Sequence, residues 1–218
     1  MKSTLDALKH KEESLQNSVS NYLEDNDGIP TSRDIQIFDK ISETTSDIFW
    51  TCEHLTALSE MKIIYIFKSF EITMKSLITT AYPNKNTSDF FQWKNMMTFF
   101  KSLSIPVSDL EGYKETSDLR NVNNNIKHSN GIDEEVRKIA EFSSVFEFDY
   151  ANLDSFYNRI KPRVETFSKQ IGLSLIEDLF VFDESRISKI TDDYARRMDS
   201  ETLNTFVDKL ENKNGSKK

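Results

Sequence analysis

The chain has 218 residues, with 28 Lys and Arg against 36 Asp and Glu and a formal net charge of −8. That balance excludes broad, charge-driven binding to nucleic acid, because attraction to phosphate scales with clustered cations. A hydrophobic share of 37% with only 5 glycines and 4 prolines excludes a disordered chain, and the single cysteine, Cys52, excludes an internal disulfide framework or a multi-cysteine zinc site.

The composition favours long helices joined by few turns, in one large domain or one domain with an appendage. No run approaches the roughly 18 apolar residues of a membrane span, and the charged start MKSTLDALKHKEE lacks the apolar core of a secretory signal. A cytoplasmic protein with no membrane attachment is expected.

Along the chain, Leu5, Leu8, Leu15, Val19, Tyr22 and Leu23 recur at mostly three- and four-residue intervals, which predicts an amphipathic helix over 4–24 that stops near Asn26-Asp27-Gly28. A second helix starts after Thr31 or Ser32 and carries Ile35, Phe38, Ile41, Ile48 and Phe49, its end falling somewhere between Trp50 and Ser59. EMKIIYIFKSFEITMKSLITTAYP is the most apolar stretch and predicts a central core helix ending before Pro83. Ser88 is the expected N-cap of DFFQWKNMMTFFKSL, and Ser108 the expected cap of a helix ending near Gly131. Residues 133–142 predict a short helix, and the alternating VFEFDY predicts a short strand or extended link near 145–150. Another long helix should run from Asn152 to about Phe182, with Pro162 kinking it or marking a break. One or two smaller charged helices fill 183–211, and NKNGSKK is a solvated tail. The expected fold is therefore all-α, a bundle of about five to seven helices. Its domain occupies 1–182, with a charged helical appendage over 183–211 and a disordered tail over 212–218.

The segment LRNVNNNIKHSNG, 119–131, gathers polar groups and poor helix formers in one place. At roughly 100° per residue, Arg120, Asn124, Lys127 and His128 fall at about 0°, 40°, −20° and 80°, within a single arc of about 100°. Leu119, Val122 and Ile126 supply the apolar residues that hold such a helix to a core. Two cations, an amide and a titratable imidazole on one face suit phosphate binding and proton transfer. The same residues also suit ordinary capping, since His128 stands just before Gly131, where a cation meets a helix C-terminus favourably. Glu71 falls between Phe67, Met74 and Ile78 in the central apolar stripe, where a carboxylate needs a partner; Arg120 is the first candidate.

On these residues the sequence resembles the HEPN domains (higher eukaryotes and prokaryotes nucleotide-binding), small helical bundles with an Arg, usually an adjacent polar residue, and a His on one helix. Arg120, Asn121 and His128 match those three positions, and FKSFEITMKSLI looks like the apolar helix with an embedded acid that often precedes them. The likeness spans 35–180 in helix order. It departs in spacing: the family typically leaves roughly four to six residues between Arg and His, whereas seven intervene here, Asn121 through Lys127.

The resemblance implies a metal-independent RNA endonuclease working as a homodimer, with no cofactor, in which two motifs meet at a composite cleft. It implies that the RNA 2′-hydroxyl attacks the adjacent phosphate, with His128 as general acid or base, Arg120 stabilising the phosphorane, Asn121 or Asn124 orienting phosphate or imidazole, and Lys127 attracting the backbone. Such enzymes are commonly toxins or effectors of bacterial antiviral and stress defence, restrained by a regulatory or antitoxin protein.

Two other readings stay open. A catalytically inert helical module could bind a protein partner or a nucleotide, using aromatics such as Phe90, Phe91, Trp93, Phe99 and Phe100. Alternatively, the charged helices after 183 could dock a structural adaptor to an assembly. His10, His54 and His128 are too scattered for a metal site, no glycine-rich phosphate loop occurs, and Cys52 cannot face His54 across a helix. Glu134-Glu135 and Asp192-Asp193 are expected as surface carboxylates.

Overall fold

In the computed structural model, residues 2–25, 32–129 and 131–215 are described. They form eight α-helices and, among these residues, no strand. The helices are α1 (Lys2–Asp25), α2 (Ser32–Ala81), α3 (Trp93–Ser102), α4 (Tyr113–His128), α5 (Glu134–Arg137), α6 (Tyr150–Phe180), α7 (Glu184–Arg197) and α8 (Ser200–Gly215). Three 3-10 turns, Thr87–Phe90, Val107–Asp109 and Ala140–Phe142, punctuate the middle of the chain. The all-α expectation holds. The count of eight among the described residues stands one above the expected five to seven. The stop expected at Asn26-Asp27-Gly28 lies outside the described residues.

Two compact units emerge, 1–173 and 174–218, with the boundary inside α6. In the first, α2 is one unbroken helix of 50 residues, where the sequence suggested two. No glycine or proline occurs between Ser32 and Ala81, so the stretch after Trp50 has nothing to end the helix; Glu53 and His54 face water while Leu55 and Ser59 turn inward. Its core stripe is Leu55, Ile63, Phe67, Phe70, Met74 and Ile78, all buried. Leu153, Phe156, Ile160, Val164, Phe167 and Ile171 form the matching stripe of α6 at spacings of three and four. Phe167 joins them: its ring lies 6.0 Å from Phe70 of α2 and 6.0 Å from Tyr113 of α4, while Phe70 lies 5.9 Å from Trp93 of α3. α1 lies along α2, with Leu5 and Val19 buried and the Thr45 hydroxyl donating to Glu12 at 2.6 Å. Pro162 sits inside α6 without breaking it; both it and Asn158, the residue four before it, are exposed, so water can reach the freed carbonyl.

Several boundaries move for identifiable reasons. Ser88 lies within the 3-10 turn Thr87–Phe90, which closes where the Asn86 backbone N–H donates to Asp89 at 3.0 Å; α3 then begins at Trp93. Ser108 lies in the turn Val107–Asp109, its hydroxyl on the neighbouring Asp109, and α4 begins only at Tyr113. The VFEFDY segment is irregular up to Tyr150, where α6 begins. Its alternation arises because Phe148 packs against Phe142 at 5.2 Å while Phe146 stays exposed under the Arg137 guanidinium.

In the second unit, Asp183 and Asp199 cap α7 and the start of α8 by accepting from the backbone N–H of Arg186 and Thr202, each at 2.7 Å. Tyr194 and Phe206 stack at 5.0 Å. No side chain of α7 is buried. α8 continues to Gly215, through the start of the expected tail, and 216–218 lie outside the described residues.

Gly112 sets the start of α4. Its φ is +86°, and a Cβ there would overlap the carbonyl oxygen of Arg163 on α6. Gly112→Ala should therefore lower the unfolding free energy by more than about 2 kcal/mol, combining left-handed strain with the overlap. Urea denaturation of the two proteins measures this.

Candidate functional site on the fourth helix

Thr116, Leu119, Val122 and Asn123 turn α4's inner side to the core, and all four are buried. The asparagine run divides accordingly. Asn123 is 1% exposed and donates to the side chain of Asn124 at 3.3 Å. Asn125 is 2% exposed, and its amide donates to the Gly131 carbonyl at 3.1 Å and to Asp133 at 3.2 Å. The other carboxylate oxygen of Asp133 accepts from the Val136 backbone N–H at 2.8 Å, capping α5. Asn125 thus ties the end of α4 to the start of α5. The side-chain oxygens of Asn123 and Asn125 are buried with no hydrogen-bond partner among the described residues.

The sequence-predicted residues separate into two places. Asn124, Lys127 and His128 are exposed on the last two turns. Arg120 is half-buried at the edge of the core face, its guanidinium 5.9 Å from the centroid of the Trp93 ring. Among the described residues it makes no hydrogen bond or ion pair. Arg120 and His128 lie eight residues apart, about 12 Å of helix rise, so their backbones stand two turns apart on α4. Asn121 lies about 100° round the helix from Arg120, and it lines a polar cleft of about 620 Å³ with Lys114, Ser117, Asp118, Lys138 and Arg159. Glu71 has no ion pair with Arg120. It stands beside the buried stripe of α2 rather than within it, half-buried and open to water, so it needs no compensating charge.

The polar cleft is a feature the sequence reasoning missed. Arg159 grips Glu141 with two hydrogen bonds, Nε to Oε1 at 2.6 Å and Nη2 to Oε2 at 3.0 Å, and reaches Asp118 at 3.9 Å. The Arg159 hydrogen bonds hold the Glu141 carboxyl below the usual range, and Glu141 raises Arg159 in return. Burial pushes Asp118 up against the opposing pull of Arg159 and Lys114. Only one signal existed in the sequence: Asp118 stands three residues before Asn121, on the same helix face. The Arg159–Glu141 pair joins separate elements and leaves no local pattern. Among the described residues no cluster of His, Cys, Asp and Glu could hold a metal ion, and no helix is long and apolar enough to cross a membrane.

The two carboxylates should give opposite pH signatures. Asp118, raised in the fold, costs stability once ionised, so Asp118→Asn should raise the unfolding midpoint at pH 7, and the gain should begin to close as pH falls through the raised folded value and be gone below the ordinary aspartate value of 3.8. Glu141, lowered in the fold, contributes stability above its ordinary value of 4.5 and loses it in acid. Glu141→Gln should therefore destabilise by about 1 kcal/mol at pH 7 and progressively less below pH 4. Thermal unfolding across pH tests both.

No protein-family model matches this chain, nor does any curated protein or any solved structure.

Proposed function

We propose that α4 carries the reactive face of a metal-independent RNA endonuclease of the HEPN kind, acting as a toxin or effector in antiviral or stress defence. One observation carries the proposal: in a chain with 36 acidic residues, Arg120 has no carboxylate partner among the described residues and rests only against Trp93. A half-buried guanidinium held on an aromatic face, with its N–H donors unclaimed, is available to a phosphate. Asn124, Lys127 and His128 extend the same side toward the solvent.

Chemistry at such a face is internal transesterification. The ribose 2′-oxygen bonds to phosphorus, the P–O5′ bond breaks, and a 2′,3′-cyclic phosphate and a free 5′-hydroxyl result. One base accepts the 2′-hydroxyl proton and one acid delivers a proton to the departing 5′-oxygen. The imidazole of His128 can both accept and donate a proton, which suits either task, and Arg120 would balance the charge of the phosphorane. Because about 12 Å separates the pair along α4, the working site is proposed to combine Arg120 of one copy with His128 of a second. Asn121, turned into the polar cleft, would act on α4's position rather than on substrate.

The eight-residue separation also favours a second reading, an inert helical module that binds a protein partner or a nucleotide. Its signature is a stoichiometric complex in pull-downs with no cleavage of any RNA.

Expression of the protein should slow growth and fragment RNA, and Arg120→Ala or His128→Ala should lower cleavage by at least about 100-fold. The exposed His128 variant should stay within about 0.5 kcal/mol of parental stability. Mixing the two variants should recover part of the activity, since half of the hybrid sites then hold both groups. If toxicity and RNA fragmentation persist in both single variants, the enzyme proposal fails.

A further inference from the structure

Between α2 and α6 of the first unit runs an open groove of about 850 Å³. Its walls include Leu58, Met61 and Tyr65, which are 46%, 49% and 61% exposed, and its floor includes Ile66, Phe70 and Val164. Leu58, Met61 and Tyr65 follow a three-four spacing on α2, so they form one stripe on a helix whose other stripe is already the core. Contiguous apolar surface left open in this way marks a binding groove rather than scattered exposure.

The rim has the opposite charge sign to the chain. Lys62, Lys161 and Lys169 line the groove against a single carboxylate, Glu165, in a protein of net charge −8. Lys62 is held by Asp154 at 3.0 Å and lies 5.6 Å over the Tyr157 ring. Lys161 and Lys169 make no ion pair among the described residues, even though Glu165 stands four residues from each. A second copy laid symmetrically on this groove would set lysine against lysine, whereas an occupant with an acidic flank meets them with opposite charge.

We infer that this groove receives an amphipathic helix from a protein partner, its apolar stripe laid on Leu58, Met61 and Tyr65 and its acidic flank against Lys161 and Lys169. The α2 wall from Leu58 to Thr73 spans about 22 Å, four helical turns, and a trough between two helices accepts a third by ridges-into-grooves packing. The site is separate from the α4 face and does not depend on the nuclease proposal.

The probe is a fluorescein-labelled 18-residue synthetic helix with leucines at helical spacing and glutamates elsewhere, compared with a twin carrying lysines for the glutamates. In anisotropy titrations with the full chain, the acidic helix should bind at least 10-fold more tightly than the basic twin. Tyr65→Asp, at a site open enough to leave the fold intact by circular dichroism, should weaken it at least 10-fold. Lys161→Glu with Lys169→Glu should weaken the acidic helix at least 5-fold and narrow or reverse the preference. Equal binding of the two peptides, no binding, or insensitivity to Tyr65→Asp overturns the proposal. Sedimentation showing a dimer that Tyr65→Asp dissolves would overturn it in favour of a second copy, and Tyr65-dependent binding to phosphatidylglycerol vesicles without peptide binding would overturn it in favour of a lipid surface.

Discussion

The approach of the α6 backbone to Gly112 is the constraint from which the geometry of α4 follows. Only a residue without Cβ fits beneath the Arg163 carbonyl, and its φ of +86° turns the chain sharply into the helix. The Thr116 hydroxyl then donates back to the Gly112 carbonyl at 2.8 Å, and Tyr113 meets Phe167. With that first turn fixed, the helical repeat sets every later side chain: Leu119 and Val122 go inward, Arg120 comes to the edge beside Trp93, and Asn121 turns into the polar cleft. At the far end, Asn125 holds Gly131 and Asp133, so α4 is secured at both termini.

The large elements were legible because their signals are periodic and redundant. The inward residues recur at three and four from Ile63 to Ile78 of α2 and from Leu153 to Ile171 of α6. What misled was chemistry with two equivalent uses. Ser88 and Ser108 are good helix caps, but both sit inside 3-10 turns that precede the helices they were expected to start. The polar interval after Trp50 resembles a terminus, yet it holds no glycine or proline, and Leu55 and Ser59 within it keep the inward side of the helix buried. In VFEFDY the alternation reflects one phenylalanine packing and another remaining outside, with no neighbouring strand to pair with.

The candidate site divides along the same line. The wheel placed Arg120, Asn124, Lys127 and His128 within one arc, because angular position depends only on the helical repeat. Their separation along the axis was equally available from the eight-residue spacing and is the more restrictive quantity for chemistry. Partnerships were not legible. Whether Asn125 faces solvent or holds a loop depends on where Gly131 returns, and whether Glu71 needs Arg120 depends on tens of degrees at the border of a buried stripe. Arg159 and Glu141 meet only because α6 passes the 3-10 turn Ala140–Phe142.

Net charge is a poor guide to what such a protein binds; the pairing state of each cation is a better one. Arg159 is neutralised by Glu141, Arg163 by Glu111, and Lys2 and Lys62 share Asp154. A ligand competing for any of these must first displace a carboxylate already in place. Arg120, Lys161 and Lys169 present no such competitor among the described residues, and each stands beside apolar surface that lowers the local dielectric and strengthens attraction to an anion. Salt screens the surrounding acidic surface and the unpaired cations alike beyond a Debye length of about 10 Å, so capture rests on partners whose shape brings a negative group within a few ångströms of those three side chains.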